Sequence, residues 1–141
     1  MRFMLLRKAD RKTEAGAMPS RELLAAMGEY VGELGKAGVL LAGEGLQASD
    51  KGARVKFSGG RPNVIDGPFG LDGLVAGFCI IQVASRQEAI GWVKRWPPLD
   101  GDGELEIEIR QIFEAEDFGE AFTPEMREAE ERMRAEAADR G

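Results

Sequence analysis

Apolar residues fall along this chain in three rhythms, and each predicts a different element. Phe3-Met4-Leu5-Leu6 and Leu74 to Val83 are apolar at nearly consecutive positions, the pattern of central strands buried on both faces. Ala53, Val55 and Phe57 alternate with Arg54 and Lys56; Leu105, Ile107 and Ile109 alternate with Glu104, Glu106, Glu108 and Arg110. The first alternation predicts one arm of a hairpin and the second a half-exposed strand. Between Ser20 and about Ala37 the period lengthens. Leu23, Leu24, Met27, Tyr30, Val31 and Leu34 form one stripe at 3.6-residue spacing, which predicts a helix capped by Ser20 and closed by Gly38. A second helix opens at the capping box Ser85-Arg86-Gln87-Glu88, shows Ala89, Trp92, Val93 and Trp96 on one face, and stops at Pro97-Pro98.

The punctuation between these runs orders them. Lys8 to Pro19 is a polar connection, and Val39-Leu40-Leu41-Ala42 is a strand that leads into Gly43-Glu44-Gly45-Leu46. Gly59-Gly60 supplies a tight hairpin turn, Arg61 to Ile65 is the returning strand, and Pro62 assigns that strand to an edge. Gly67-Pro68 breaks it, and Gly70-Leu71-Asp72-Gly73 is a loop. Pro124 to Arg140 reads as a charge-dense helix with Met126, Ala129 and Met133 as its sparse apolar face. The order is β-α-β, hairpin, β-α-β, then a tail helix. It predicts an α+β chain with a ferredoxin-like antiparallel sheet, two helices on one face, an inserted hairpin and an extra C-terminal helix. Strands apolar on both faces leave the second face of the sheet needing a cover, and a homodimer pressing sheet on sheet supplies it.

Composition narrows the chemistry. The chain has 141 residues, 43% apolar and 31% charged, within the range of one folded domain. It contains no histidine, which removes Ser-His and Cys-His nucleophilic pairs, imidazole-ligated zinc and the usual general base near neutral pH. The single cysteine, Cys79, excludes an internal disulfide and sits in the apolar run Phe78-Cys79-Ile80-Ile81, where an inert buried thiol is expected. No GxxxxGK[ST] or dinucleotide fingerprint is present, and no cofactor or metal is expected. The net charge is -6. Residues 114–141 hold ten acids and four arginines, so the tail accounts for all of it, and the body 1–113 is balanced and forms the expected domain. The net negative charge argues against nucleic acid as a partner. No stretch approaches membrane-spanning length, and the opening apolar run is too short for a signal peptide core, so a cytoplasmic location and no membrane association are expected.

Two elements together carry a family resemblance. Ala37-Gly38-Val39-Leu40-Leu41-Ala42-Gly43-Glu44-Gly45-Leu46, followed by Val64-Ile65-Asp66-Gly67-Pro68-Phe69, resembles the DGPF-domain branch of the YCII-related family over roughly residues 2–112. Phe3-Met4-Leu5-Leu6 and Glu88-Ala89-Ile90-Gly91-Trp92 fit the same pattern. The resemblance implies a dimeric α+β barrel of ferredoxin-like protomers and no established activity. Relatives in which a His and an Asp meet in a cleft have been taken for enzymes. Asp66 matches the Asp, and the His has no counterpart here. After Phe69, relatives often carry a Glu- and Lys-containing stretch, which Gly70-Leu71-Asp72-Gly73 replaces. Family analogy also implies a link to sigma-factor companions in transcriptional regulation.

The candidate site residues follow from these two elements. Asp66 is either the cap of the turn before Gly67-Pro68 or a desolvated carboxylate general acid/base. Glu44, flanked by glycines, is either a solvated loop carboxylate or a ligand-binding group. Tyr30 lies on the helix stripe, where its hydroxyl reaches either a core partner or a cleft, and Phe69 is a cleft wall or a plug at the turn. The expected function is binding of a small molecule or partner protein in a cleft near Asp66; the alternative is a small enzyme built on Asp66.

Overall fold

The computed structural model describes residues 1–140. Strand β1 (Arg2–Lys8) alternates half-buried and buried residues, so Phe3, Leu5 and Arg7 point one way and Met4, Leu6 and Lys8 the other. A four-residue helix α1 (Arg11–Glu14) follows within what the sequence marked only as a polar connection. Asp10 caps it by accepting from the Thr13 N–H at 2.9 Å. Helix α2 (Arg21–Lys36) starts on Ser20, whose Oγ accepts from the Leu23 N–H. It ends in a Schellman closure, with the Val39 N–H donating to the Leu34 carbonyl and the Gly38 N–H to that of Gly35. Strands β2 (Leu40–Gly45), β3 (Ala53–Ser58), β4 (Arg61–Asp66) and β5 (Val75–Gln82) come next. Helix α3 (Arg86–Val93), strand β6 (Ile107–Gln111) and helix α4 (Pro124–Arg140) complete the order.

The sheet runs β2-β5-β1-β6, antiparallel throughout, with β3 and β4 as a separate two-stranded ribbon. This is the ferredoxin-like order with the ribbon inserted between its second and third strands, as the sequence predicts. Register explains the core. Phe3 pairs Ile81, Leu5 pairs Cys79 on one side and Ile109 on the other, and antiparallel partners share a face. Phe3, Leu5, Cys79, Ile81 and Val83 therefore form one apolar layer. Tyr30 and Leu34 of α2 and Ala89 of α3 complete the same buried cluster, which puts both helices on that face. Leu5, Leu34, Ile81 and Ala89 are fully enclosed. Truncating any of the three large ones to Ala would cost about 2–5 kcal/mol. Met4, Leu6, Phe78 and Ile80 face the other way and are half-buried.

Two details depart from the sequence reading. Helix α3 ends at Val93, so Trp96 lies beyond the helix rather than on its face. Glu88 does accept a backbone N–H at the start of α3, but that of Ala84 instead of its own cap residue Ser85, while Ser85 Oγ accepts from the Glu88 N–H. The chain divides into two compact units, Met1–Gln111 and the segment from Ile112 onward. In the second, Phe113, Phe118 and Phe122 meet in series ahead of α4, the first pair stacked at 4.9 Å and the second tilted at 5.6 Å between centroids. Helix α4 is laced by Glu–Arg pairs one turn apart, such as Arg134 with Glu130.

Candidate functional site

An arginine at an inward position of β1 is the feature that organises the site. Arg7 continues the row Phe3, Leu5, and a guanidinium placed on the helix-facing side of a sheet must be paired. Its partner is Asp100, brought in by the turn after Pro97-Pro98. Arg7 Nη2 donates to Asp100 Oδ1 at 2.6 Å and Nε to Oδ2 at 3.2 Å, a two-pronged contact between two buried groups. Nη1 donates to the Lys8 carbonyl at 2.7 Å and to Asp10 Oδ2 at 3.3 Å. Trp96 donates its indole N–H to Asp100 Oδ2 at 2.9 Å. Burial works against the charge on Arg7, but the hydrogen bonds and charges of Asp100 and Asp10 outweigh it, and the guanidinium pKa is raised. Asp10, in turn, is held below the ordinary carboxylate range: desolvation pushes it up, and the Thr13 N–H and Arg7 more than offset this.

Beside this pair lies a cavity of about 390 Å³, within the usual range for small-ligand pockets. Met27 and Val31 of α2, with Leu40, form its apolar wall, Arg7, Trp96 and Asp100 its polar end, and Gly43, Gly45, Gly77 and Cys79 its floor on the sheet. The glycines explain why the space exists. Gly43 pairs Cys79 and Gly45 pairs Gly77, so all of these positions face the helices, and three of the four carry no side chain. A Cβ on Gly43 would sit 3.2 Å from Cys79 Sγ, and one on Gly77 3.2 Å from the Glu44 carbonyl, so these two are held small by packing. A Cβ on Gly45 meets nothing within 4 Å. Gly45 therefore leaves open a volume that its neighbours would tolerate being filled.

The four residues singled out from sequence are distributed as follows. Glu44 lines the cavity. Its pairing with Phe78 turns its side chain to the sheet face away from the helices, so its contribution to the floor is main-chain. Tyr30 is buried, donates its hydroxyl to the Trp92 carbonyl at 2.6 Å and lies against Trp96 at 5.3 Å. Burial raises its pKa to about 12. It supports the Trp96 end from behind and is not among the lining residues. Asp66 is exposed at the end of β4, opposite Ala53. Phe69 is half-buried, gives its N–H to Ser49 Oγ at 2.9 Å and carries the Arg54 guanidinium 3.9 Å over its ring. Asp66 and Phe69 belong to the ribbon's base, away from the cavity lining.

That base is a tightly built corner. Ser49, in the turn Ser49–Lys51, donates its own N–H and Oγ to the two carboxylate oxygens of Glu14 and accepts from Phe69. A Cβ on Gly67 would lie 1.8 Å from the Ser49 carbonyl oxygen, so only glycine fits between the ribbon and this turn. The Gly67–Pro68 peptide is cis.

Arg7, Trp96 and Asp100 are site residues that no sequence motif marks. The signal was present for Arg7: a charged residue in the inward phase of an apolar strand requires a buried partner. Nothing local pointed to Asp100, which is 93 positions away. Cys79 is buried and burial raises its thiol pKa, the expected inert state. Among the described residues no cluster of three or more His, Cys, Asp or Glu could hold a metal ion, and no helix is long and apolar enough to cross a membrane.

A ferredoxin-like sheet, two helices on one face and a glycine-floored cavity at a buried ion pair define the class. The YCII-related domain model matches residues 1–116, and the chain belongs to that family. No curated protein matches it.

Proposed function

We propose that the chain is a binding module whose ligand is a small neutral molecule with an apolar body and one hydrogen-bonding end. What supports this is the cavity itself: apolar walls, a floor of three glycines and Cys79, and an Arg7–Asp100 pair already hydrogen-bonded. With Arg7 held between Asp100 and Asp10 and four of its N–H donors engaged, the polar end offers a ligand no free positive charge, which favours a neutral partner over an anion. This moves the binding cleft from Asp66 to the space between α2 and the β2-β5-β1 floor, with Glu44 contributing backbone.

The test exploits Gly45. A library of neutral aromatic and aliphatic alcohols, with indole and phenol among the probes, is screened by thermal shift on the wild-type chain and on Gly45→Leu. A ligand that binds only the folded state raises the midpoint. Binders should shift the wild type and lose that shift in Gly45→Leu, which fills the cavity. Hits that shift both proteins equally would show that the cavity is not the site.

Within the family, Asp66-Gly67-Pro68-Phe69 following Gly43-Glu44-Gly45-Leu46 supports assignment to the DGPF branch. The apolar residues on the helix-free face of the sheet, Met4, Leu6, Phe78 and Ile80, support a homodimer formed sheet on sheet.

A further inference from the structure

The β3–β4 ribbon exposes every residue of both its strands. Its two central glycines take positive φ of 56° and 77°, the conformation a two-residue turn between twisted strands demands, so the ribbon is formed by design of its own sequence. A two-stranded hairpin is nonetheless marginal in water without something to pack on. Register separates its two faces. Val55 pairs Val64 and Phe57 pairs Pro62 on one, with Ala53 and Asp66 at its base; Arg54 pairs Ile65, Lys56 pairs Asn63 and Ser58 pairs Arg61 on the other. On the first face Val55, Val64 and Phe57 are 52%, 64% and 67% exposed, an apolar strip with no cover from its own chain. The ribbon is also basic. Residues 53–66 hold three cations, Arg54, Lys56 and Arg61, against one acid, Asp66; the remaining 127 residues hold 16 bases and 24 acids. The surplus of acid that complements this arm is thus carried by the same chain, most of it in residues 114–141.

We infer that the ribbon is a clasp that closes on a second copy of this chain, its Val55-Phe57-Val64 face seated on the partner and its cations reaching the partner's acids. Lysine and arginine stems are long enough to bend over the ribbon's rims toward acids beside the seat. The inference rests on the homodimer proposed above and adds to it an element outside the sheet face.

The experiment uses the full chain. Light scattering after size exclusion is compared for wild type and Phe57→Asp/Val64→Asp, with circular dichroism as the check on folding. In parallel, isotopically light and heavy chains are mixed at equilibrium and coupled with a zero-length carbodiimide, which joins lysine amines to carboxylates only where they touch. The wild type should run at twice the chain mass and the folded variant at the single-chain mass. Lys51 or Lys56 should be joined to acids in mixed light–heavy pairs. A folded variant that stays dimeric, or cross-links confined to single chains, would overturn the clasp while leaving the sheet-on-sheet dimer standing. A monomeric wild type whose ribbon binds anionic lipid vesicles or duplex DNA, with Lys56→Glu/Arg61→Glu abolishing the binding, would overturn both and assign the arm to that partner.

Discussion

Arg7 shows how one side chain can set the design of a site. It occupies the third inward position of β1, after Phe3 and Leu5, and a charge there is tolerated because Asp100, Asp10 and the Lys8 carbonyl engage four of its donors. The physical consequence is asymmetry: deleting one partner leaves the other as a buried charge. Arg7→Met should therefore cost about 3–5 kcal/mol, and Asp100→Leu a similar amount. The double variant Arg7→Met/Asp100→Leu should recover much of the loss, because it removes both desolvation costs together. Urea denaturation of the four proteins gives the coupling energy directly. Additive losses would show that the two side chains act independently and that the cavity's polar end is not held by their pairing.

Among elements, the corner at Gly67 and the floor at Gly45 make a contrasting pair. Both are glycines with no left-handed φ requirement, and their surroundings differ completely. At Gly67 a methyl would overlap the Ser49 carbonyl oxygen, pushing apart the contact that joins the ribbon base to Ser49, Phe69 and Glu14. At Gly45 a methyl enters open space. Gly67→Ala should lose about 2 kcal/mol or more by backbone displacement, whereas Gly45→Ala should fall within about 0.5 kcal/mol of wild type. Equal effects in thermal or urea unfolding would contradict the packing described for one of the two. The Asp-Gly-Pro-Phe element thus has a structural reading independent of catalysis: its glycine admits the Ser49 turn, and its Phe69 N–H and ring are both engaged.

For the whole molecule, the two compact units have different internal support. The buried cluster from Phe3 to Ala89, with Ile107 and Ile109 packed against it, falls entirely within 1–111. From Ile112 onward no residue among those described is buried; the segment is held by the three-phenylalanine stack and by ion pairs such as Arg127 with Glu116. Exposed pairs of that kind are worth little each. A chain ending at Gln111 should therefore still unfold cooperatively by circular dichroism. A broad, non-cooperative melt would show that the body needs the segment that follows it.

Local pattern was enough for the six strands, the three long helices and their order along the chain. Periodicity is a local signal, and the apolar runs, Ser20 cap, Gly59-Gly60 turn and Leu105-Ile107-Ile109 alternation each belong to one segment whose neighbours do not change its reading. It also determined the fate of Cys79, since an apolar strand leaves a thiol little else to do. The short helix α1 escaped because four residues are too few to show a period. The site escaped for a different reason. Arg7, Gly43, Gly45, Gly77, Trp96 and Asp100 come from four separate stretches, and only the Gly43-Glu44-Gly45 stretch carries a motif of its own. Only pairing β2 against β5, and folding the Pro97-Pro98 turn back onto β1, put the glycines on one floor and the aspartate on the arginine. A cavity is a property of what several segments leave empty between them, and strand pairing at long sequence separation decides that.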